Sequence, residues 1–192
     1  MANDCVSNKR NITEEEVINM FKFEKTIPFI KICVERVRKE TNTFYEGYLT
    51  KDGFNELLVC PWDDWKFFRY IKEKNFSDVS YNKSGLNLIC VMNHYDDYLK
   101  NYNNDASDKN YSNRNSTHRD TIEYFENEFI NGKNHDGNIL ILLEAENRNK
   151  LYLIDGYHRL IALAHLIVNR KTSYSPLRCV FGEISKSPCI TP

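Results

Sequence analysis

The hydrophobic positions of this chain fall into several rhythms that locate its elements. Thr13-Glu14-Glu15-Glu16 offers a threonine cap with a glutamate three residues on, the signature of a helix start, and predicts a helix through about Phe23 after a mobile lead-in of some twelve residues. Ile27 to Val37, with FIKICVERV at its centre, alternates apolar and polar residues and predicts a strand; Asn42–Lys51 reads as a turn or hairpin. Pro61 stands at the first turn of a helix that has acids at its start and Lys72 and Lys74 at its end. Its stripe of Trp65, Phe67, Phe68 and Ile71 reads as core rather than as a stacking platform. The short run Leu86–Met92 predicts a buried strand.

From Asn101 to Ser116 the chain turns to Asn, Asp, Ser, Lys and Tyr and offers almost nothing to bury, so a loop is expected there, able to act as a lid. Thr117-His118-Arg119-Asp120 then repeats the capping signature, with Ile122, Phe125 and Phe129 along one face and Gly132 after the last turn, predicting a helix over 118–131. The first turns of that helix carry His118, Arg119, Asp120 and Glu123 at an end whose N–H groups favour anions. Ile139–Leu143 and Leu151–Ile154 are apolar runs joined by a polar connection, hence two strands. After Asp155 the rhythm changes to Leu160, Leu163, Ala164 and Ile167, which is helical and stops at Asn169-Arg170-Lys171; Arg178–Ile184 suggests a last strand. The fold class this predicts is α/β (α+β), a small mixed sheet with flanking helices. Residues 91–192 form its core, with a flexible loop at about 101–116, and residues 1–90 are an N-terminal extension packed on it, a substrate or partner surface.

Composition narrows the function classes. The 192 residues are 41% hydrophobic and 28% charged with a net charge of −1, so there is no global field for nucleic acid or an anionic membrane. The six cysteines are scattered without a C-x-x-C pair, which reads as reduced thiols rather than a zinc or redox motif. With no apolar leader at the N-terminus and no long apolar run, a cytoplasmic location and no membrane partner are expected.

The candidate chemistry sits where the strand rhythm becomes helical, at Asp155-Gly156-Tyr157-His158-Arg159. Asp155 is placed to cap the helix, Gly156 allows a tight turn, and His158 and Arg159 occupy the first helical turn. Helix N–H groups, the guanidinium of Arg159 and the switchable ring of His158 together make an anion site, beside which Asp155 has a use in holding Mg²⁺ or taking a proton. The plain alternative is a capping aspartate with a surface histidine and a solvated arginine, since Asp-Gly turns before helices are common. His165, seven residues after His158, reads as structural.

The order ILILLEAENRNKLYLIDGYHRLIALAHL, two strands followed by an Asp-Gly-x-His-Arg helix, resembles the ParB/sulfiredoxin superfamily over roughly residues 117–184. Sulfiredoxins carry a reactive cysteine where this chain has Tyr157, and partition proteins continue into a helix-turn-helix domain for which the remaining residues leave no recognition helix. The similarity is greatest to the superfamily's stand-alone free-serine kinases, whose Asp-Gly-His-His-Arg differs here at Tyr157. That resemblance implies a phosphotransferase acting on a small-molecule hydroxyl, or a nucleotide hydrolase, with a nucleoside di- or triphosphate (ATP, ADP or CTP) and Mg²⁺. It implies that Asp155 serves metal or proton transfer, that Gly156, Tyr157, His158 and Arg159 hold phosphates with His158 also catalytic, and that Arg119 adds a second cation. For the catalytic base Glu123, Asp120, Glu144 and Glu146 are candidates, and Glu123 is preferred because one helical turn separates it from Arg119. A DNA-acting protein using Lys109, Arg114, Arg119 and the aromatics is the second reading, and a non-catalytic nucleotide-binding module is the third.

Overall fold

The computed structural model describes residues 5–22, 27–60, 66–80, 85–101, 109–110, 113–133, 139–146 and 150–185. In chain order the elements are β1 (Val6–Asn11), α1 (Glu14–Phe21), α2 (Ile27–Glu40), β2 (Phe44–Leu49), α3 (Lys51–Asn55), β3 (Leu57–Val59), α4 (Lys66–Lys74), β4 (Leu86–Asn87), α5 (Leu88–Met92) and α6 (Tyr95–Asn101). They continue with β5 (Lys109–Asn110), β6 (Asn113–Thr117), α7 (His118–Ile130), β7 (Leu140–Glu144), β8 (Leu151–Asp155), α8 (Tyr157–Val168) and β9 (Leu177–Ile184). Seven strands form one mixed sheet in the order β1-β2-β9-β7-β8-β3-β4, parallel at β9–β7 and β8–β3 and antiparallel elsewhere. This is the mixed α/β class that the rhythm of the chain predicts.

The continuous apolar runs of β7 and β8 follow from burial on both faces. Leu140, Leu142, Tyr152, Ile154 and Val180 point to a core closed by Val17 and Phe21 of α1 and Ile30, Val34 and Val37 of α2. Ile141, Leu143, Leu151, Leu153 and Phe181 point to the other core, which α4, α5, α6, α7 and α8 cover. Strands β1 to β4, all from the first ninety residues, belong to the same sheet as β7, β8 and β9. Among the described residues no helix is long and apolar enough to cross a membrane.

Several local expectations are corrected. Ile27–Val37 is helical, because its buried residues Ile30, Cys33, Val34 and Val37 recur at i, i+3, i+4 and i+7; the strand-like alternation is a by-product of that stripe. Ion pairs Arg36–Glu40 at 2.6 Å and Lys39–Glu35 at 2.7 Å lace the outer face of α2. The lead-in contains β1, a polar edge strand paired with β2, where exposed side chains leave no hydrophobic signal. Within 42–51 the backbone turns at Asn42, whose φ is +51°, Phe44–Leu49 is β2, and Thr50 caps α3, which begins at Lys51. Leu86–Met92 is strand only at Leu86–Asn87; the Asn87 side chain then accepts from Cys90 N–H at 3.0 Å and starts α5. Part of the expected loop is the two-stranded ladder of β5 and β6. Pro61 and Trp65 lie outside the described residues, whereas Phe67, Phe68 and Ile71 are core. Cys5, Cys33, Cys90 and Cys179 are thiols; Cys60 is held in a disulfide, against the expectation of reduced cysteines throughout.

Candidate functional site

The site is built by α7, β8 and α8. Thr117 caps α7: its hydroxyl accepts from Asp120 N–H at 3.1 Å, and the Asp120 carboxylate accepts from Thr117 N–H at 2.7 Å. These backbone and hydroxyl contacts hold the Asp120 carboxyl below its ordinary range. His118 and Arg119 are thereby fixed as the first two residues of a thirteen-residue helix.

The second helix start is made differently. Asp155 is the last residue of β8, opposite Leu140, and Gly156 is the N-cap of α8 with φ +92° and no side-chain cap. This corrects the expected capping role of Asp155, since the left-handed glycine takes the cap position and Asp155 stays in the strand. A Cβ at Gly156 would come within 2.9 Å of the Ile139 side chain, so both backbone angle and space call for glycine. The helical ladder begins with Leu160 N–H donating to Gly156 O at 3.1 Å, so the N–H groups of Tyr157, His158 and Arg159 precede its first rung.

The two starts meet. His118 Nδ1 and His158 Nε2 are 2.9 Å apart, one ring donating and the other accepting, and the rings stack at 5.1 Å between centroids and 18° between planes. Two turns further on, His165 of α8 meets Glu126 of α7, so the helices run side by side in the same direction with their positive ends together. Burial first, then the neighbouring His118 and Arg159, push the His158 ring down to about 3, which leaves it neutral near pH 7. His165 is the reverse. Burial would lower it, but hydrogen bonds to Glu126 and to Asp96, the latter at 2.9 Å, outweigh that and hold it above the ordinary histidine value.

The remaining expected residues are placed as follows. Arg159 reaches over the Phe125 ring at 6.0 Å, and Arg119 Nε donates to Glu123 at 2.7 Å, as their one-turn spacing suggests. The Tyr157 ring is buried and its hydroxyl donates to Leu153 O at 2.9 Å, so at this turn only its backbone faces outward chemistry. Glu144 and Glu146 are not brought to the site: Glu144 accepts from Tyr152 Oη at 3.0 Å near the β7–β8 turn, while Asp155 ends the hairpin's other side. Lys109 and Arg114 lie on β5 and β6. Sequence reasoning gave His118 no role of its own, and no local signal pairs it with a residue forty positions away. Among the described residues no three His, Cys, Asp or Glu side chains cluster to hold a metal, so a cation here would depend on Asp155 together with groups brought by a ligand. No family model, curated protein or solved structure matches this chain.

Proposed function

We propose that the protein is a nucleotide-dependent phosphotransferase for a small-molecule hydroxyl, or a hydrolase of the same nucleotides, within a ParB/sulfiredoxin-like lineage. The observation that carries this reading is the meeting of the α7 and α8 starts at His118 and His158, with Arg119 and Arg159 one residue beyond each. Two parallel helix dipoles, each with an arginine in its first turn, form an anion-favouring field that a di- or triphosphate would neutralise. Phosphoryl transfer needs chiefly positioning and charge stabilisation, which such a field supplies.

In this reading Gly156 brings the N–H groups of Tyr157, His158 and Arg159 against phosphate oxygens, and the guanidinium of Arg159 holds a pair of them. Asp155, half-buried at the strand end, is the carboxylate that would hold the Mg²⁺ of the nucleotide, and that ion would shield phosphate charge. Glu123, paired with Arg119, would take the proton of the acceptor hydroxyl. The test is a thermal-shift and turnover screen of adenine, cytidine and guanine nucleotides with Mg²⁺. A nucleotide at about a hundred times its dissociation constant adds about 2.7 kcal/mol of apparent stability. Arg159→Ala should lose at least tenfold in nucleotide affinity. Absence of binding or consumption of every nucleotide ends this reading, and salt-dependent retention on DNA would replace it with a nucleic-acid-acting one.

A further inference from the structure

We propose that binding of a phosphate-bearing ligand at the joined starts of α7 and α8 is coupled to uptake of one proton by the His118–His158 pair. The inference rests on the anion-binding reading above and adds to it a defined proton stoichiometry, the ligand class being nucleoside triphosphates.

The geometry sets the number. With 2.9 Å between His118 Nδ1 and His158 Nε2, the neutral pair has one N–H pointing at one bare nitrogen. A first added proton goes to the outer nitrogen of the donor ring and leaves that bond intact. A second would set two N–H groups face to face, so the pair holds one added proton and no more while the contact lasts. The proton comes from solvent, and nothing else is consumed.

The surroundings set the direction. Without a ligand His118 is buried and His158 half-buried between two positive helix ends and next to Arg159, where the His158 ring is held in its neutral form. The carboxylates nearby are engaged elsewhere: Asp120 in the Thr117 cap, Glu123 with Arg119, Glu126 and Asp96 with His165. Tyr95 on α6 and Cys90 on α5 are both held in their neutral forms. The negative charge of the turn itself is Asp155, at the end of β8. A polyphosphate arriving here reverses the local field, and the singly protonated pair becomes the favoured state.

The measurement is titration calorimetry of the full chain with ATP, CTP and GTP, each with Mg²⁺, near pH 7.5 in buffers of different ionisation enthalpy. The nucleotide phosphates are already ionised there, their last pKa being about 6, so the slope of heat against buffer enthalpy counts protons taken by the protein. A positive slope approaching one proton is expected, with affinity weakening by up to roughly tenfold per pH unit above neutrality, and the double variant His118→Asn/His158→Asn should abolish the slope. Ring-nitrogen NMR shifts of the unaltered protein supply a readout that needs no variant: His118 or His158 should move to the charged form on nucleotide addition while His165 stays put. Binding with zero slope and unmoved rings overturns the coupling and leaves the nucleotide reading intact. A slope that persists in the double variant overturns it equally, and if none of the three nucleotides binds, coupling and nucleotide reading fall together.

Discussion

His158 and His165 stand seven residues apart on one helix, the first half-buried and the second buried, and their surroundings shift them in opposite directions. His158 faces another imidazole and an arginine and is pushed down to about 3, with burial the largest cause; His165 lies between two carboxylates, with Asn169 also bonded to Asp96 at 3.3 Å, and is held above the ordinary histidine value. Burial pushes both rings the same way, so the difference between them comes from their partners. The carboxylate-paired end ties α6, α7 and α8 together, while the imidazole-paired end is the one at which the proposed ligand would dock.

The largest effect should come from breaking the carboxylate-paired end. His165→Leu leaves Glu126 and Asp96 without the ring that bonds them both and is expected to cost about 4 kcal/mol. For a chain of this size that lowers Tm by roughly 10 °C in calorimetry. At the other end, Gly156→Ala should cost about 2 kcal/mol, because a side chain is forced into the left-handed region against Ile139. Its nucleotide affinity should fall further than its stability, since the N–H groups of the turn move with it. His158→Asn is milder, about 1 kcal/mol, as one neutral hydrogen bond is lost.

The pH dependence of stability sharpens the contrast. His165 has a raised folded pKa, so its contribution is complete below the ordinary histidine value of 6.5 and is lost as pH rises through the folded value. His158 is depressed to about 3 against 6.5 unfolded, so the unfolded chain binds the extra proton between those values and stability falls as pH drops through that window. Denaturant melts across pH should show both limbs, with His165→Gln flattening the alkaline one and His158→Asn the acid one. The smallest effect belongs to Glu123→Gln, which disrupts an exposed pair with Arg119 and should change stability by about 0.5 kcal/mol or less. A large loss of turnover in that variant would mark Glu123 as the proton acceptor.

The site's frame was legible because α7, β7, β8 and α8 bury regular stripes and their caps are written in short local signals such as Thr117 with Asp120. What the chain concealed has physical causes. β1 is a polar edge with nothing to bury, and α2 carries a spacing that satisfies two periods over a short stretch. Asp155 looked like a cap because Asp often is one, but the residue after it had the backbone freedom to take that position. The His118–His158 contact is a property of two helices lying side by side, which no single segment encodes.

Tyr157 throws its hydroxyl back across the glycine to Leu153 O, four residues earlier in β8, and also reaches Cys60 O at 3.5 Å. The turn is therefore tied back to the strand that leads into it. On the proposed reading, a nucleotide docking there has little loop-ordering entropy to remove at this turn, and differences between nucleotides should appear in how slowly they leave.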